Sequence, residues 1–257
     1  MLKFASHILL FGQNKWLMKN IENSYSHVDK IYIAYSEKPW GYNPNARNIY
    51  SNSFDLNIIR NSNFIDKITI IEGDWLTEEA QRNACVDKAK IDNIDYLMIH
   101  DTDEFYFHQD FEKMKEFIIT HPDYDLYTCG WISFWKSFRY ITVPNIVDKI
   151  VGNPQIFINL KKNIRFQRKR NPNGISVINI PDVICYHASY ALTNSELQEK
   201  LKTWGHYNDF NVDAWYNNIW LKWYPDMINL HPVNPSAWYK AIEFNGELPE
   251  VLKNMYI

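Results

Sequence analysis

The sequence predicts an α/β protein built on an open sheet, and three observations carry that prediction. Strand-like and helix-like segments alternate through the first hundred or so residues. The apolar run Ile94–His100 stops abruptly in three carboxylates, Asp101, Asp103 and Glu104. The eight glycines are so scattered that no two lie within ten residues of each other. Both the dinucleotide fingerprint and the phosphate loop need clustered glycines, so those two common α/β classes are excluded. A Gly-x-Ser-x-Gly elbow and a His-Glu-x-x-His helix are also missing, which argues against serine hydrolases of that type and zincins.

Lys30–Tyr35, Lys67–Ile71 and Ile94–His100 read as strands of the first half. Between the last two, Thr77 is placed to cap a helix that has Glu78 and Glu79 in its first turn and runs to about Lys90. The second half is more irregular and more aromatic. Asp125–Trp135, Gln155–Leu160 and the apolar stretch Val177–Tyr186 are strand-like. Thr193-Asn194-Ser195-Glu196 is a capping box that opens a helix, which Gly205 is expected to stop after Trp204. No repeat, low-complexity tract or linker interrupts the 257 residues, so a single domain over 1–257 is expected.

With 27 basic and 30 acidic residues, net charge gives no reason to expect a nucleic-acid partner. Ten Trp and seventeen Tyr suit either a bulky core or a surface that stacks on sugar rings. Cys85, Cys129 and Cys185 are odd in number and far apart, so neither a disulfide framework nor a cysteine zinc site is implied. The apolar run Ile8–Phe11 is too short for a signal peptide core or a membrane span, and the expected location is cytoplasmic.

Tyr96 to Phe105 carries the strongest signal. Carboxylates crowded at a strand end repel one another and shift each other's pKa unless a cation neutralises them. Hard oxygen ligands of this kind suit Mg²⁺ or Mn²⁺, which usually also reach substrate phosphates. In open α/β sheets the carboxyl ends of the strands are where ligands bind. The bland alternative is an acidic turn with solvated carboxylates.

This strand followed by Asp-x-Asp-Glu-Phe resembles the signature of GT-A glycosyltransferases, in particular family-2-like enzymes with a D-x-D-E-[FIW] motif. Gly73-Asp74-Trp75, then Gln81-Arg82-Asn83, is similar to the region where such enzymes place an Arg-Asn pair near the nucleotide. Cys185-Tyr186-His187-Ala188-Ser189-Tyr190, with Lys200-Leu201 and Gly205-His206, resembles the W-H-x-S-W…K-L…H region of β-1,4-mannosyl-glycoprotein N-acetylglucosaminyltransferases. The likeness covers residues 28 to 210, and the chain departs from those enzymes in showing no membrane anchor.

The resemblance implies a GT-A fold, a mixed central sheet flanked by helices, with a nucleotide-sugar half over 1–110 and an acceptor half over 111–257. It implies a transferase that uses a nucleotide-sugar donor such as a UDP-sugar, a glycan or other hydroxyl acceptor, and Mn²⁺ or Mg²⁺. Asp103 is then the main metal ligand, and Asp101 contacts the metal through water or the ribose. His187 is the expected third ligand, with His206 as its competitor. Arg82 is a candidate for the diphosphate, Glu37 for a ribose hydroxyl, and Glu104 for fixing the backbone. One or two members of the basic run Lys161 to Arg170 are candidates for the diphosphate or an acidic acceptor. Rings in Gly130–Lys136 and Trp215–Trp223 are candidates for the acceptor surface. An inverting enzyme needs a carboxylate base. None occurs between Thr128 and Val143, which leaves Asp209 and Asp182. Two other readings compete: a nucleotidyltransferase, disfavoured by the lack of an early glycine-rich basic loop, and a weak or inactive sugar-binding protein of the same fold.

Overall fold

The computed structural model describes residues 2–12, 14–145, 153–203, 205–206, 208–253 and 255, and every structural statement below concerns these. The first half alternates as expected. The elements are β1 (Phe4–Leu10), α1 (Leu17–Tyr25), β2 (Lys30–Ser36), the short α2 (Pro44–Ile49) and α3 (Asn57–Arg60), β3 (Ile68–Gly73), α4 (Glu78–Ile91) and β4 (Tyr96–Ile99). After the acidic turn come β5 (Glu104–Phe105), α5 (His108–Thr120), β6 (Leu126–Trp135), β7 (Ser137–Val143) and β8 (Gln155–Asn159). The chain then forms β9 (Phe166–Arg168), β10 (Asn171–Pro172), the long β11 (Val177–Tyr190), α6 (Asn194–Thr203), α7 (Val212–Trp215) and β12 (Lys240–Glu243).

These elements make a mixed α/β structure with a central sheet flanked by helices. Among the described residues ten strands form one sheet, in the order β12-β7-β6-β8-β4-β1-β2-β3, with β11 attached to β6 and β5 attached to β11. Four adjacent strands, β4, β1, β2 and β3, run parallel. β8 pairs antiparallel with β4, and β6 antiparallel with β8. All four residues of β4 are buried, and six of the seven in β1 are, as a parallel sheet covered on both faces requires.

Helix starts follow the side-chain chemistry read in the sequence. Thr77 accepts from the Ala80 N–H at the start of α4. The capping box is reciprocal: Glu196 N–H donates to Thr193 Oγ1 at 3.3 Å, and Thr193 N–H donates to Glu196 Oε2 at 2.8 Å. Boundaries differ by a residue or a few. Lys67 closes a 3-10 turn, Ile65–Lys67, so the strand begins at Ile68. β11 continues four residues past Tyr186, through His187 to Tyr190. α6 ends at Thr203, and the expected stop after Trp204 falls on a residue outside the described set. No helix among the described residues is long and apolar enough to cross a membrane.

Candidate active site

Parallel pairing brings the carboxyl ends of β1, β2, β3 and β4 to one edge of the sheet. At the end of β4 the chain turns through His100 to Asp103 and re-enters the sheet as β5, antiparallel to β11. That two-residue pairing sets His187 opposite Glu104, and the Ala188 N–H donates to the Asp103 carbonyl at 2.7 Å. Residues far apart in the chain are thereby fixed side by side.

The turn is also tied to the inner face of α1. Asn20 donates from Nδ2 to the carbonyls of Asp101 and Glu104, both at 2.9 Å. Asn23 exchanges two hydrogen bonds with the Tyr106 backbone, and Asn14 donates to Thr102 Oγ1 at 2.5 Å. Glu104 is fully buried and accepts the Asp101 N–H at 3.0 Å, so it fixes the local backbone. Burial, joined by the charges of Asp101 and Asp103, pushes its carboxyl up to about 7, although Arg170 opposes this.

Asp101 sits among guanidinium groups. Arg82 donates from Nη2 to both of its oxygens, at 2.9 and 3.0 Å, and Arg170 donates from Nη1 to Oδ2 at 2.5 Å. Burial raises the Asp101 pKa, but Arg82 and then Arg170 more than reverse this, leaving it well below the usual carboxylate range. The Arg82 side chain is 2% exposed and also pairs with Glu78. Its Nη1 donates to His7 Nε2 at 3.2 Å, which leaves Nδ1 of the same ring to donate to the Met98 carbonyl at 2.9 Å. His7 is fully buried, and desolvation, with Arg82 second, lowers its pKa to about 3. The ring is therefore neutral and aims Arg82 at Asp101.

Asp103 faces the other way. Its Oδ2 accepts from Lys200 Nζ at 3.1 Å, and its Oδ1 lies 3.6 Å from His187 Nε2, with both side chains 14% exposed. Burial raises the Asp103 pKa, but the Lys200 charge and hydrogen bond, together with His187, hold it below the ordinary value. Burial lowers His187 to about 4, so its ring is neutral near pH 7. Ser133 Oγ lies 3.4 Å from His187 Nδ1, and the Trp131 ring packs edge-on at 4.8 Å. Lys200 also donates to Ser189 Oγ at 2.6 Å and to the Ser189 carbonyl at 3.2 Å.

The structure thus gathers Asp101, Asp103, Arg82 and His187 at one place, with Arg170 from the basic run and with Lys200, His7, Asn20 and Asn23, to which the sequence reading gave no role. Glu37 is exposed just past the end of β2, where its N–H donates to the Gly73 carbonyl. Close by, Asn52 joins the ends of β1 and β2 by donating to the carbonyls of Leu10 and Ser36. Asp209 lies half-exposed on the loop after α6, with Oδ2 2.5 Å from His206 Nδ1 and 3.5 Å from Lys169 Nζ. Lys169 adjoins Arg170, so this second acid–imidazole pair borders the acidic turn through one hairpin. Asp182 instead lines a shallow groove with Lys113, Glu116 and Thr120 of α5.

The other expectations resolve unevenly. Within the basic run, Lys161, Lys162 and Arg165 pair with Asp95, Asp125 and Asp87. Trp135, Trp215 and Trp220 of the proposed acceptor surface are buried and pack on one another. Trp131 and Trp223 keep part of their surface exposed. Among the described residues no group of three or more His, Cys, Asp or Glu side chains converges as a metal cage.

No family model matches the chain, and no curated protein matches it. Solved structures do. Residues 1–349 of S. aureus TarS are 13% identical, with 83% of this chain and 75% of that chain covered and a TM-score of 0.48. The same segment in complex with UDP is 12% identical, with 83% and 77% covered and a TM-score of 0.48. The 4-diphosphocytidyl-2C-methyl-D-erythritolsynthase of Anaerococcus prevotii is 12% identical, with 69% and 87% covered and a TM-score of 0.40. At these scores the likenesses carry no argument about this chain.

Proposed function

We propose that the chain is a GT-A glycosyltransferase that moves a sugar from a nucleotide-sugar donor, a UDP-sugar first of all, to a hydroxyl of a glycan or related acceptor. In this reading 1–257 is one domain, with the donor over 1–110 and the acceptor over 111–257. The observation that carries it is the pair Asp103 and His187, facing each other at 3.6 Å beside Lys200 at the carboxyl end of a parallel sheet. The β-1,4-mannosyl-glycoprotein N-acetylglucosaminyltransferase likeness rests on sequence motifs alone.

The donor set fits Mn²⁺ or Mg²⁺. Two ligands of one such ion, each bonded at about 2.0–2.2 Å, stand roughly 3 Å apart. Asp103 is ionised and His187 neutral, the forms that ligate. Such ions ordinarily complete their shell with water and substrate phosphate, so two protein ligands suffice. When bound, the ion would neutralise the nucleoside diphosphate as it leaves. Asp101, held by Arg82, would act through water or on the ribose, and Glu37 is positioned for a ribose hydroxyl. Asp209, with His206, is the proposed acceptor for the proton of the attacking hydroxyl.

One observation favours the second reading, a weak or inactive sugar- and nucleotide-binding protein of the same fold. Both oxygens of Asp101 are already engaged by Arg82 and Arg170. Incubation with UDP-sugars in the absence of acceptor separates the two. A transferase releases UDP slowly and only with Mn²⁺ or Mg²⁺. Binding without any metal-dependent release would leave the second reading standing and end the first.

A further inference from the structure

We propose that Lys200 is the protein's cation for the diphosphate, resting on Asp103 until a divalent ion takes over that carboxylate. This rests on the glycosyltransferase reading above. The geometry around the ammonium group supports it. Its three donors have three acceptors in reach, Asp103 Oδ2 at 3.1 Å, Ser189 Oγ at 2.6 Å and the Ser189 carbonyl at 3.2 Å. Two of these are neutral and belong to Ser189, at the end of β11. They hold the nitrogen in place when its one charged partner is shared with a cation. Asp103 divides its two oxygens, with Oδ2 toward Lys200 and Oδ1 toward His187, so an ion arriving on the His187 side draws the carboxylate from the lysine while Ser189 keeps the nitrogen in place.

The stem is anchored as well. Lys200 rises from α6, whose first turn is closed by the Thr193–Glu196 box and bound to the first half by Lys15–Glu196 at 2.8 Å. The charges near the turn explain why such a cation is needed. Arg82, Arg170 and Lys200 face four carboxylates, Glu78, Asp101, Asp103 and Glu104. Arg82 and Arg170 are locked onto Glu78, Asp101 and Glu104, which leaves Lys200 as the partly exposed cation of the three with the smallest claim on it. A divalent ion on Asp103 would make the surroundings of Lys200 net positive, and an oxygen of a diphosphate would then become its best third acceptor.

The consequence is a pair of effects of opposite sign. Lys200→Met should bind Mn²⁺ alone more tightly, by roughly threefold to tenfold, because a like charge beside Asp103 is gone. The same variant should bind UDP at saturating Mn²⁺ about tenfold to a hundredfold more weakly, because a charge-assisted contact is lost. Isothermal titration of Mn²⁺, then of UDP in excess Mn²⁺, measures both on the full chain. Lys200→Gln, which can still bond to Ser189, replaces the Met variant if that one does not fold. A purely structural role would weaken both affinities together, and that result, or no change in either, would overturn the assignment of Lys200. A parent that binds neither Mn²⁺ nor UDP with Mn²⁺ would overturn the glycosyltransferase reading itself, and this inference with it.

Discussion

Asp101 and Asp103 leave the same strand end one residue apart, yet they meet different surroundings. Asp101 accepts three hydrogen bonds from two arginines, one of them almost wholly buried and aimed by a histidine beneath it. Asp103 has one lysine, itself 29% exposed, and one imidazole edge at 3.6 Å. The difference follows from the turn, because on a regular strand residues two apart would share a face. One carboxylate points back over β1 and α4, the other toward β11 and α6. A buried charge is costly to leave unmatched in low dielectric, and Arg82, 2% exposed, is such a charge, whereas Lys200, 29% exposed, can turn to water when its partner is lost. The Asp101 side therefore carries stability, and the Asp103 side is left to bind.

The largest expected effect tests that division directly. Arg82→Met leaves Asp101 and Glu78 without their buried partner and should cost about 3–5 kcal/mol of unfolding free energy. Asp103→Asn leaves Lys200 on Ser189 and should cost only about 1 kcal/mol. Urea unfolding of both variants checks the contrast, and equal losses would erase it.

How much of this was legible in the sequence depends on distance along the chain. The acidic turn, the Thr77 cap and the Thr193 box lie within a few residues, where strand ends and capping chemistry leave a local pattern. Arg82 and His187 came from resemblance, and their partners did not come with them. Asn20 and Asn23 look like the polar face of an amphipathic helix, but they sit among Leu17 and Ile21 on the buried face of α1. Polar residues at apolar positions are the local signal that marks them. β5 has only two residues, too few for any periodicity, yet its pairing with β11 is what sets His187 beside Asp103. Arg170 belongs to a basic run in which nothing local distinguishes the one or two members that reach the site. Only the hairpin of β9 and β10 turns it onto Asp101 and Glu104.

The second effect concerns pH and also belongs to the Asp101 side. His7 titrates near 6.5 in an unfolded chain and at about 3 in the fold, chiefly through desolvation. Below pH 6.5 the unfolded chain takes up a proton that the folded chain refuses. The stability this ring contributes is complete above 6.5 and is lost as pH falls toward 3. His100 and His187, both lowered to about 4 mainly by burial, act in the same direction. Glu104, raised to about 7, acts in the opposite one, since its proton favours the fold between pH 7 and 4.5. His27 and His231, also lowered mainly by burial, add to the net loss on acidification, of which His7 accounts for about 3 kcal/mol by pH 4. Unfolding free energy followed from pH 7 to 4 should fall, and it should fall less steeply in His7→Gln, a variant of lower stability throughout. Parallel curves for the two proteins would show that His7 is not the group responsible.

The smallest effect sharpens the Asp103 side. Thr193 accepts the Glu196 N–H at 3.3 Å, and Glu196 in turn accepts the Thr193 N–H at 2.8 Å and the Lys15 ammonium at 2.8 Å. Thr193→Ala removes one arm of that box. N-cap losses of this kind cost about 1 kcal/mol. Because α6 is only ten residues long and buries just Leu197 and Leu201, much of the cost should appear as local opening of its first turns. Lys200 sits two turns in, so its ammonium group should spend less time on Asp103 and Ser189. Amide exchange on α6 should therefore quicken by about fivefold, while α4 and β4, which hold Arg82 and the start of the acidic turn, keep the exchange rates of the parent apart from the global shift. If α4 and α6 quicken equally, the two sides of the acidic turn open as one unit, and the separation between a stabilising carboxylate and a binding one would have to be given up.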